Sequence, residues 1–230
     1  MLGQGPGTQA PGCETAAPPI VNMDVLYNDH DLLVVNKPSG LLSVPGKGPD
    51  KQDCLWTRLQ AQHPGVLVVH RLDQATSGLM VFALNPATQR ALSMAFEARQ
   101  VDKQYLAWVE GVVPVSEDWQ TIDLPILLDW PNRPVHILDA SGMPSVTLWR
   151  CVQQHATLPG SLLELQPQTG RTHQLRVHLK AIGHPIWGDA LYAPPEVLSR
   201  APRLLLHAQS LALQHPVTHQ DLRWTCEPDW

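Results

Sequence analysis

The order of apolar and polar residues predicts many short strands and few helices. Apolar runs at residues 25–27 and 32–35 flank the turn-forming residues 28–31, a pattern typical of a β-hairpin. Further extended segments are predicted at residues 66–69, 79–84, 105–109, 121–128, 146–153, 161–165, 204–213 and 222–226. Because these segments are short and closely spaced, the pattern favours a sheet whose neighbouring strands are mostly antiparallel.

Three segments have the apolar spacing of helices. Residues 53–63 carry Leu55, Trp56 and Leu59 on one face, with Asp53 as the expected N-cap. Residues 87–100 follow Pro86, and residues 172–182 end at Gly183. Strands outnumber helices, so we expect an α+β fold: one domain in which a mixed, mostly antiparallel sheet is flanked by helices.

The composition of the first 20 residues differs from that of the rest. They are rich in Gly, Pro, Gln, Thr and Ala and contain no aromatic residue, which predicts a disordered tail at 1–20 and a folded domain at 21–230. They also lack a basic residue and an apolar core, so a secretory signal is not expected. No run of 18 apolar residues occurs, so we expect no membrane span.

The cysteines and the charges limit the class of protein further. The four cysteines lie far apart and form no CxxC pair, which favours a reducing cytoplasm over a disulfide framework or a zinc ribbon. The net charge of −5 at first disfavours a nucleic-acid partner. However, residues 110–139 hold six acids and one base, whereas residues 165–210 hold five bases and two acids. A local basic face can therefore attract phosphate.

Asp73 is the first candidate for chemistry. It follows the apolar run 66–69 and precedes a Thr-Ser-Gly turn, so it is either a carboxylate that caps the turn or a reactive group. A reactive carboxylate needs a cation to stay ionised. Arg171 is the candidate cation, because it lies near the positive N-terminus of the predicted helix 172–182. The alternative for Arg171 is an ordinary surface salt bridge.

Three other features are weaker on their own. Arg176 and Lys180 are four residues apart on one helix face, which suits either phosphate contacts or a solvated basic surface. Tyr105 begins a predicted strand, where it is either a packing residue or a ring on which a base can stack. His173 and His178 are five residues apart, unlike the metal-binding pair of an HExxH helix, so no metal site is expected.

Taken together, several segments in this order resemble the RluA-type pseudouridine synthases, which isomerise uridine within RNA. The segments are Asn36-Lys37-Pro38-Ser39-Gly40, the run His70-Arg71-Leu72-Asp73 continuing to Leu79, Lys103-Gln104-Tyr105, the run from Gly170 to His178 continuing to Asp189, and Arg203 to Ala208. The resemblance covers nearly the whole predicted domain, and it implies an α+β catalytic domain and an isomerase that needs no cofactor and no metal.

The resemblance also implies roles for individual residues. Asp73 would be the essential carboxylate, acting on the ribose as nucleophile or as base, with Arg171 as its ion-pair partner. Tyr105 would stack on uracil and help to remove the C5 proton. Arg71 would fill the gap left by the flipped base, and Leu206 or a neighbouring leucine would pack on the other face of the ring. The expected RNA-binding residues are Arg71, Lys37, His173, Arg176, Lys180 and Leu206.

Segments 41–46, 129–134 and 201–207 are most similar to the family members of dual specificity, which act on a tRNA anticodon loop and on a 23S rRNA hairpin. Only about 24 residues precede the first predicted strand, so a separate N-terminal RNA-binding domain is not expected, and we expect a monomer. Alternatives are the same chemistry on another rRNA loop, a catalytically inactive RNA-binding domain on the same fold, and a metal hydrolase built on the histidines.

Overall fold

The structure is a computed structural model that describes residues 24–230. The predicted tail at 1–20 lies outside the described residues. The strands are β1 (Asp24–Asn28), β2 (Leu32–Lys37), β3 (Leu67–Val68), β4 (Ser77–Ala83), β5 (Asp102–Glu110), β6 (Gln120–Asp123), β7 (Ile126–Leu128), β8 (His136–Leu138), β9 (Val146–Gln154), β10 (Gly160–Pro167), β11 (Leu206–Gln214) and β12 (Asp221–Thr225). The α-helices are α1 (Leu55–Gln62), α2 (Pro86–Glu97), α3 (Gln174–Ala181) and α4 (Pro195–Leu198).

Ten of the strands form one large sheet, which confirms the predicted α+β fold. The strand order is β1-β2-β4-β11-β5-β10-β9-β6, with β12 beside β11 and β3 beside β4. The remaining strands, β7 and β8, form a separate hairpin. All the pairings are antiparallel except that between β4 and β11. The sheet is therefore mixed and mostly antiparallel, as the short, closely spaced strands predicted.

The parallel contact between β4 and β11 joins the two halves of the sheet. Gly78 of β4 has a φ of +112°, and a β-carbon there would lie 2.4 Å from the carbonyl oxygen of Ala208. Only glycine combines this backbone angle with so close an approach. The Thr-Ser-Gly segment after Asp73 is thus fixed against β11, and this brings the Asp73 loop next to the centre of the sheet.

Helices α1 and α2 cover opposite faces of the N-terminal strands. Leu55 and Leu59 of α1 pack with Leu33 and Val35 of β2, whereas Leu92 of α2 packs with the alternate residues of the same strand. This division follows from the alternation of side chains along a strand. In the C-terminal half, α3 contributes Leu175 and Leu179 to a third buried cluster that also contains residues of β5 and β10. Within residues 24–230, no helix is both long enough and apolar enough to cross a membrane.

Some predicted boundaries differ from the structure. Asp53 does not cap α1; the N-cap is Cys54, whose sulfur accepts the Thr57 N–H, while Asp53 forms an ion pair with Arg58 at 2.7 Å. The extended segment predicted at 121–128 is divided between β6 and β7, which belong to different sheets. Strand β8 and helix α4 were not predicted, because segments of three and four residues are too short to show a periodic pattern.

Candidate active site

A cavity of about 750 Å³ opens where the Asp73 loop, strand β5 and the start of α3 meet. Seven of the nine residues predicted for the site line it, namely Arg71, Asp73, Tyr105, Arg171, His173, Arg176 and Leu206. Lys37 and Lys180 do not line it. The fold therefore brings together segments that are more than 100 residues apart in the chain.

Lys37 lies beneath the Asp73 loop, where its side chain is not exposed for the predicted RNA contact. Its side chain is fully buried, and Nζ donates hydrogen bonds to the carbonyls of Pro38 (2.9 Å), Leu41 (2.8 Å) and Gln74 (3.1 Å). Burial lowers the pKa of Lys37 to about 7. Lys37 thus joins the loop that follows β2 to the loop that carries Asp73.

Two serines hold the same loop from other directions. Ser43 Oγ donates to the carbonyl of Leu72 at 2.7 Å and accepts the N–H of Leu72 at 3.1 Å. Ser39 Oγ donates to the carbonyl of Ala75 at 2.7 Å. The backbone on both sides of Asp73 is therefore anchored, and its carboxylate needs no large rearrangement to meet a substrate.

The cation beside Asp73 is Arg176, and the predicted ion pair between Arg171 and Asp73 is wrong. Arg176 Nη1 lies 3.3 Å from Asp73 Oδ2. The other side of the same guanidinium donates to both carboxylate oxygens of Asp189, from Nε at 2.9 Å and from Nη2 at 2.6 Å. Arg171 instead donates to the carbonyl of Pro144 at 3.3 Å and is exposed.

The local structure at the start of α3 explains why Arg176, and not Arg171, pairs with Asp73. The helix begins only at Gln174, because His173 takes a left-handed conformation (φ 56°) at the N-cap. The buried side-chain amide of Gln174 accepts a hydrogen bond from the backbone N–H of Arg171 and donates one to the carbonyl of Val146. These two contacts fix the turn before the helix. Arg171 therefore precedes the helix, whereas Arg176 is in its first turns and only 4% exposed.

Arg176 and Lys180 do not share a solvated face. This corrects the prediction that both lie on one basic surface of α3. Arg176 is buried among carboxylates, whereas Lys180 is exposed, with its Nζ 5.9 Å from the centre of the Tyr192 ring. Spacing of i and i+4 places two residues on one side of a helix. It does not determine whether that side faces solvent along its whole length.

His173 approaches Asp73 from a second direction. Its Nε2 lies 3.7 Å from Asp73 Oδ2, and its Nδ1 lies 2.7 Å from the Tyr192 hydroxyl. That hydroxyl accepts a hydrogen bond from the backbone N–H of His136, so its own hydrogen is free to be donated to Nδ1 of His173. When the hydroxyl donates to Nδ1, the ring hydrogen of neutral His173 is on Nε2, on the side of Asp73. Burial lowers the pKa of His173 to about 4, so the ring is neutral near pH 7.

Tyr105 and Leu206 supply the apolar walls. Tyr105 is half-buried on β5, and Leu206 is 3% exposed on the adjacent strand β11. Burial, with the Asp73 charge as a smaller cause, raises the pKa of Tyr105. Tyr105 is therefore a neutral phenol near pH 7, which suits stacking on a base more directly than it suits the removal of a proton.

Arg71 lies at the exposed edge of the cavity. Its only side-chain hydrogen bond among the described residues is a long one, 3.5 Å, from Nη2 to the Thr172 hydroxyl. Arg71, Arg171 and Lys180 are thus exposed, unlike the buried Arg176 that pairs with the half-buried Asp73. The structure brings Arg71 and Arg171 to the cavity, and it leaves Lys180 outside the lining.

Asp189 and Tyr192 were not predicted as site residues. Asp189 is 1% exposed, and Oδ1 also accepts the N–H groups of Leu191 and Tyr192. One signal for Asp189 was available, because a buried arginine needs an acidic partner and few acids lie in residues 165–210. Tyr192 left no such signal in the chain.

One group of residues outside the cavity has the composition of a metal site. Asp29, Asp31 and His215 place possible ligand atoms within 4.8 Å of one another. Asp29 accepts hydrogen bonds from Tyr27 (2.6 Å) and from two backbone N–H groups, and Asp31 accepts one from Asn85. These contacts account for the group as a network that joins the β1–β2 turn to the end of β11.

Comparison with known proteins identifies the family of this chain. The family model for RNA pseudouridylate synthase matches residues 31–181. The chain is 45% identical over 207 residues to the dual-specificity RNA pseudouridine synthase RluA of Escherichia coli K12, covering 90% of this chain and 93% of that protein. It is 46% identical over 200 residues to the RluA of Vibrio vulnificus CMCP6, covering 85% of this chain and 79% of that protein.

Solved structures show the same similarity. Human RNA pseudouridylate synthase domain containing 1 superposes with a TM-score of 0.75 at 32% identity and covers 92% of this chain and 86% of its own. Human RNA pseudouridylate synthase domain containing 4 superposes with a TM-score of 0.70 at 28% identity, covering 90% and 89%. The chain therefore belongs to the RNA pseudouridylate synthase family, enzymes that isomerise uridine to pseudouridine in RNA.

Proposed function

We propose that this enzyme has dual specificity and modifies a uridine in a tRNA anticodon loop and a uridine in a 23S rRNA hairpin. The proposal is supported by the identity to the two RluA proteins over 85–90% of the chain. It is also supported by segments 41–46, 129–134 and 201–207, which are the segments most similar to the dual-specificity members. Two RNAs can share one site when their loops present the target uridine in the same shape.

We propose that Asp73 acts on the ribose of the target nucleotide. The target base leaves its stack and enters the cavity, at a cost of a few kcal/mol. Its N-glycosidic bond breaks, the uracil turns, and a carbon–carbon bond forms through C5, whose proton is then lost. Asp73 serves as nucleophile or as base in this sequence. The reaction involves no net oxidation or reduction, so it needs no redox cofactor.

The neighbours of Asp73 have separate roles in this proposal. Arg176 balances the charge of Asp73 and fixes its carboxylate, taking the role that the sequence assigned to Arg171. Tyr105 stacks on uracil, Leu206 supports the other face, and Arg71 fills the space that the flipped base leaves in the RNA. The observation that carries the proposal is the ion pair of Asp73 and Arg176 at 3.3 Å, inside a cavity that Tyr105 also lines.

The RNA substrates can be tested by mapping pseudouridine in tRNA and rRNA from cells with and without the gene. The proposal expects one site in an anticodon loop and one in a 23S hairpin to be lost together. Restoration by the wild-type gene, and no restoration by an Asp73→Asn gene, would assign both sites to this enzyme. Loss at a different rRNA loop would favour the alternative substrate, and an unchanged map would contradict the proposal.

The oligomeric state, the cellular location and the domain division are also proposals. We propose that the enzyme is a monomer, which light scattering of the purified protein tests directly. A cytoplasmic location is supported only by the cysteine pattern, in which Cys54, Cys151 and Cys226 are free. The division into a tail at 1–20 and a catalytic domain at 21–230 is supported by composition.

A further inference from the structure

Lys103 is a charged residue of the cavity that the mechanism above does not use. It lies on β5 two residues before Tyr105, and both side chains line the cavity. Residues at i and i+2 of a strand point to the same face and are about 7 Å apart. Lys103 is therefore next to the expected position of the target base, along the direction of the strand.

The ammonium group of Lys103 has no acidic partner within residues 24–230. No carboxylate oxygen of those residues lies within 4.0 Å of its Nζ, although Glu97 and Asp102 also line this part of the cavity. Burial lowers the pKa of Lys103, and no acidic group opposes this shift. A half-buried cation without a counter-ion is costly, so the site favours an anion that is supplied by the ligand.

Uncharged aromatic side chains lie beside Lys103. Its Nζ lies 5.9 Å from the centre of the Phe96 ring, and that ring stacks on His70 at 4.6 Å. His70 accepts the N–H of Val81 through Nε2, and burial, followed by the charge of Lys103, lowers the pKa of His70 to about 3. The aromatic pair is therefore neutral near pH 7 and leaves the ammonium available to a ligand.

We propose that Lys103 binds a phosphate of the RNA chain immediately next to the target uridine. This inference rests on the proposed function, because it assumes that the uridine lies beside Tyr105. A phosphate is the anion that every RNA presents at a fixed distance from each base, whatever its sequence. The exposed Arg99, which also lines this part of the cavity, adds positive charge without blocking Lys103. Lys103 would thus hold the backbone while the base is out of its stack.

The test compares Lys103→Met with the wild type in binding and in turnover. Methionine keeps the length of the stem over Phe96 and removes the charge. With a synthetic anticodon stem-loop, the Kd should rise about tenfold, kcat should stay within about threefold, and the slope of log Kd against log salt should fall by about one. Lys103→Arg should restore most of the affinity. Lys47→Met is the matched control, because Lys47 is exposed and outside the cavity lining.

The decisive measurement uses stem-loops in which one of the two phosphates flanking the target uridine is replaced by a neutral methylphosphonate. One of these substitutions should weaken binding by the wild type and abolish its difference from Lys103→Met. If the difference persists with both substitutions, Lys103 binds the base or supports the fold, and the proposal is overturned.

Repeating the binding measurement in an Asp73→Asn background, with and without Lys103→Met, makes it independent of turnover. Failure of the wild type to convert the stem-loop would then contradict the proposed substrate alone. The phosphate contact would still be supported or overturned by the binding data. A Lys103→Arg variant that binds as weakly as Lys103→Met would also count against a phosphate contact, because either cation can bind phosphate.

Discussion

The floor of the cavity and its rim both contain charged residues, but those of the floor are mostly buried and paired, whereas those of the rim are exposed. The floor consists of Asp73, Arg176, Asp189, His173, Tyr192 and, beneath the loop, Lys37. Each of these side chains has at least one polar partner among the described residues, and Arg176, Asp189 and Lys37 are at most 4% exposed. The rim group consists of Arg71 and Arg171 at the cavity and of Lys180, which lies outside the cavity lining; all three are exposed and make few or no side-chain contacts.

This difference separates two tasks. Charges that are buried and paired keep one geometry, so they can stabilise a transition state without reorganising. Exposed cations move freely and attract phosphate over a longer range, but each contributes little to any fixed structure. We therefore expect changes in the floor to alter kcat or stability, and changes in the rim to alter RNA affinity and its dependence on salt.

The largest effect is expected from Asp73→Asn. Loss of an essential carboxylate should reduce the single-turnover rate about ten-thousandfold, because asparagine can act neither as nucleophile nor as base. RNA affinity should change by no more than a few-fold. Residual turnover above about one per cent of wild type would show that Asp73 is not essential. Asp50→Asn, at an exposed position outside the cavity lining, is the matched control.

Replacing each of the two arginines in turn tests which one belongs to the floor. Arg176→Met leaves Asp189 buried without its cation, so the free energy of unfolding should fall by about 3–5 kcal/mol in urea titrations. Arg171→Met should change it by less than about 0.5 kcal/mol. Equal effects would erase the distinction between floor and rim. Arg176→Lys, which keeps the charge and loses the two-pronged contact, should fall between them.

Lys37 adds a test of pH dependence in the floor. Its folded pKa of about 7 lies below the ordinary value of 10.5, so between these values the unfolded chain binds a proton that the folded chain does not. The free energy of unfolding of the wild type should therefore rise with pH relative to Lys37→Met, by about 1 kcal/mol per pH unit between pH 7 and 9. Parallel curves would mean that Lys37 keeps its ordinary pKa. Lys47→Met should run parallel to the wild type.

Tyr192→Phe should lower kcat about tenfold and leave RNA affinity unchanged. The phenylalanine ring can stay near Arg176, where the tyrosine ring lies 5.0 Å from the guanidinium, but the hydroxyl that fixes the tautomer of His173 is lost. Nitrogen NMR of the His173 ring should show the Nε2–H form in the wild type and a mixture in the variant. An unchanged tautomer would refute this role. Tyr27→Phe, which also loses a hydroxyl hydrogen bond, is the control.

The smallest effects are expected at the rim. Arg171→Met and Lys180→Met should each raise the Kd for RNA about threefold and reduce its salt dependence, because fewer counterions are released on binding. Their kcat values and free energies of unfolding should match those of the wild type. A loss of kcat in either variant would show that the rim takes part in the chemistry. If the Kd of the wild type did not depend on salt, the rim residues would not bind RNA phosphates.

The sequence predicted the elements of the site better than their contacts. The segments that hold Asp73, Tyr105 and α3 were each placed in the correct type of structure, because apolar periodicity and turn residues are local signals. The assignment of Arg171 as the cation beside Asp73 was wrong, because it rested only on the position of Arg171 near a predicted helix end. The left-handed turn at His173, which shortened that helix, depends on contacts of Gln174 with the distant strand β9.

By itself, then, the sequence determined the α+β class, the order of the longer elements and the resemblance to a family, and it predicted Asp73 as the central carboxylate. These follow from residues close together in the chain. Only the tertiary structure decided that Arg176 pairs with Asp73, that Asp189 and Tyr192 support the floor, and that Lys37 is buried beneath it. Each of these depends on which side chains share a buried volume across tens of residues, and burial sets the strength of a charge–charge contact.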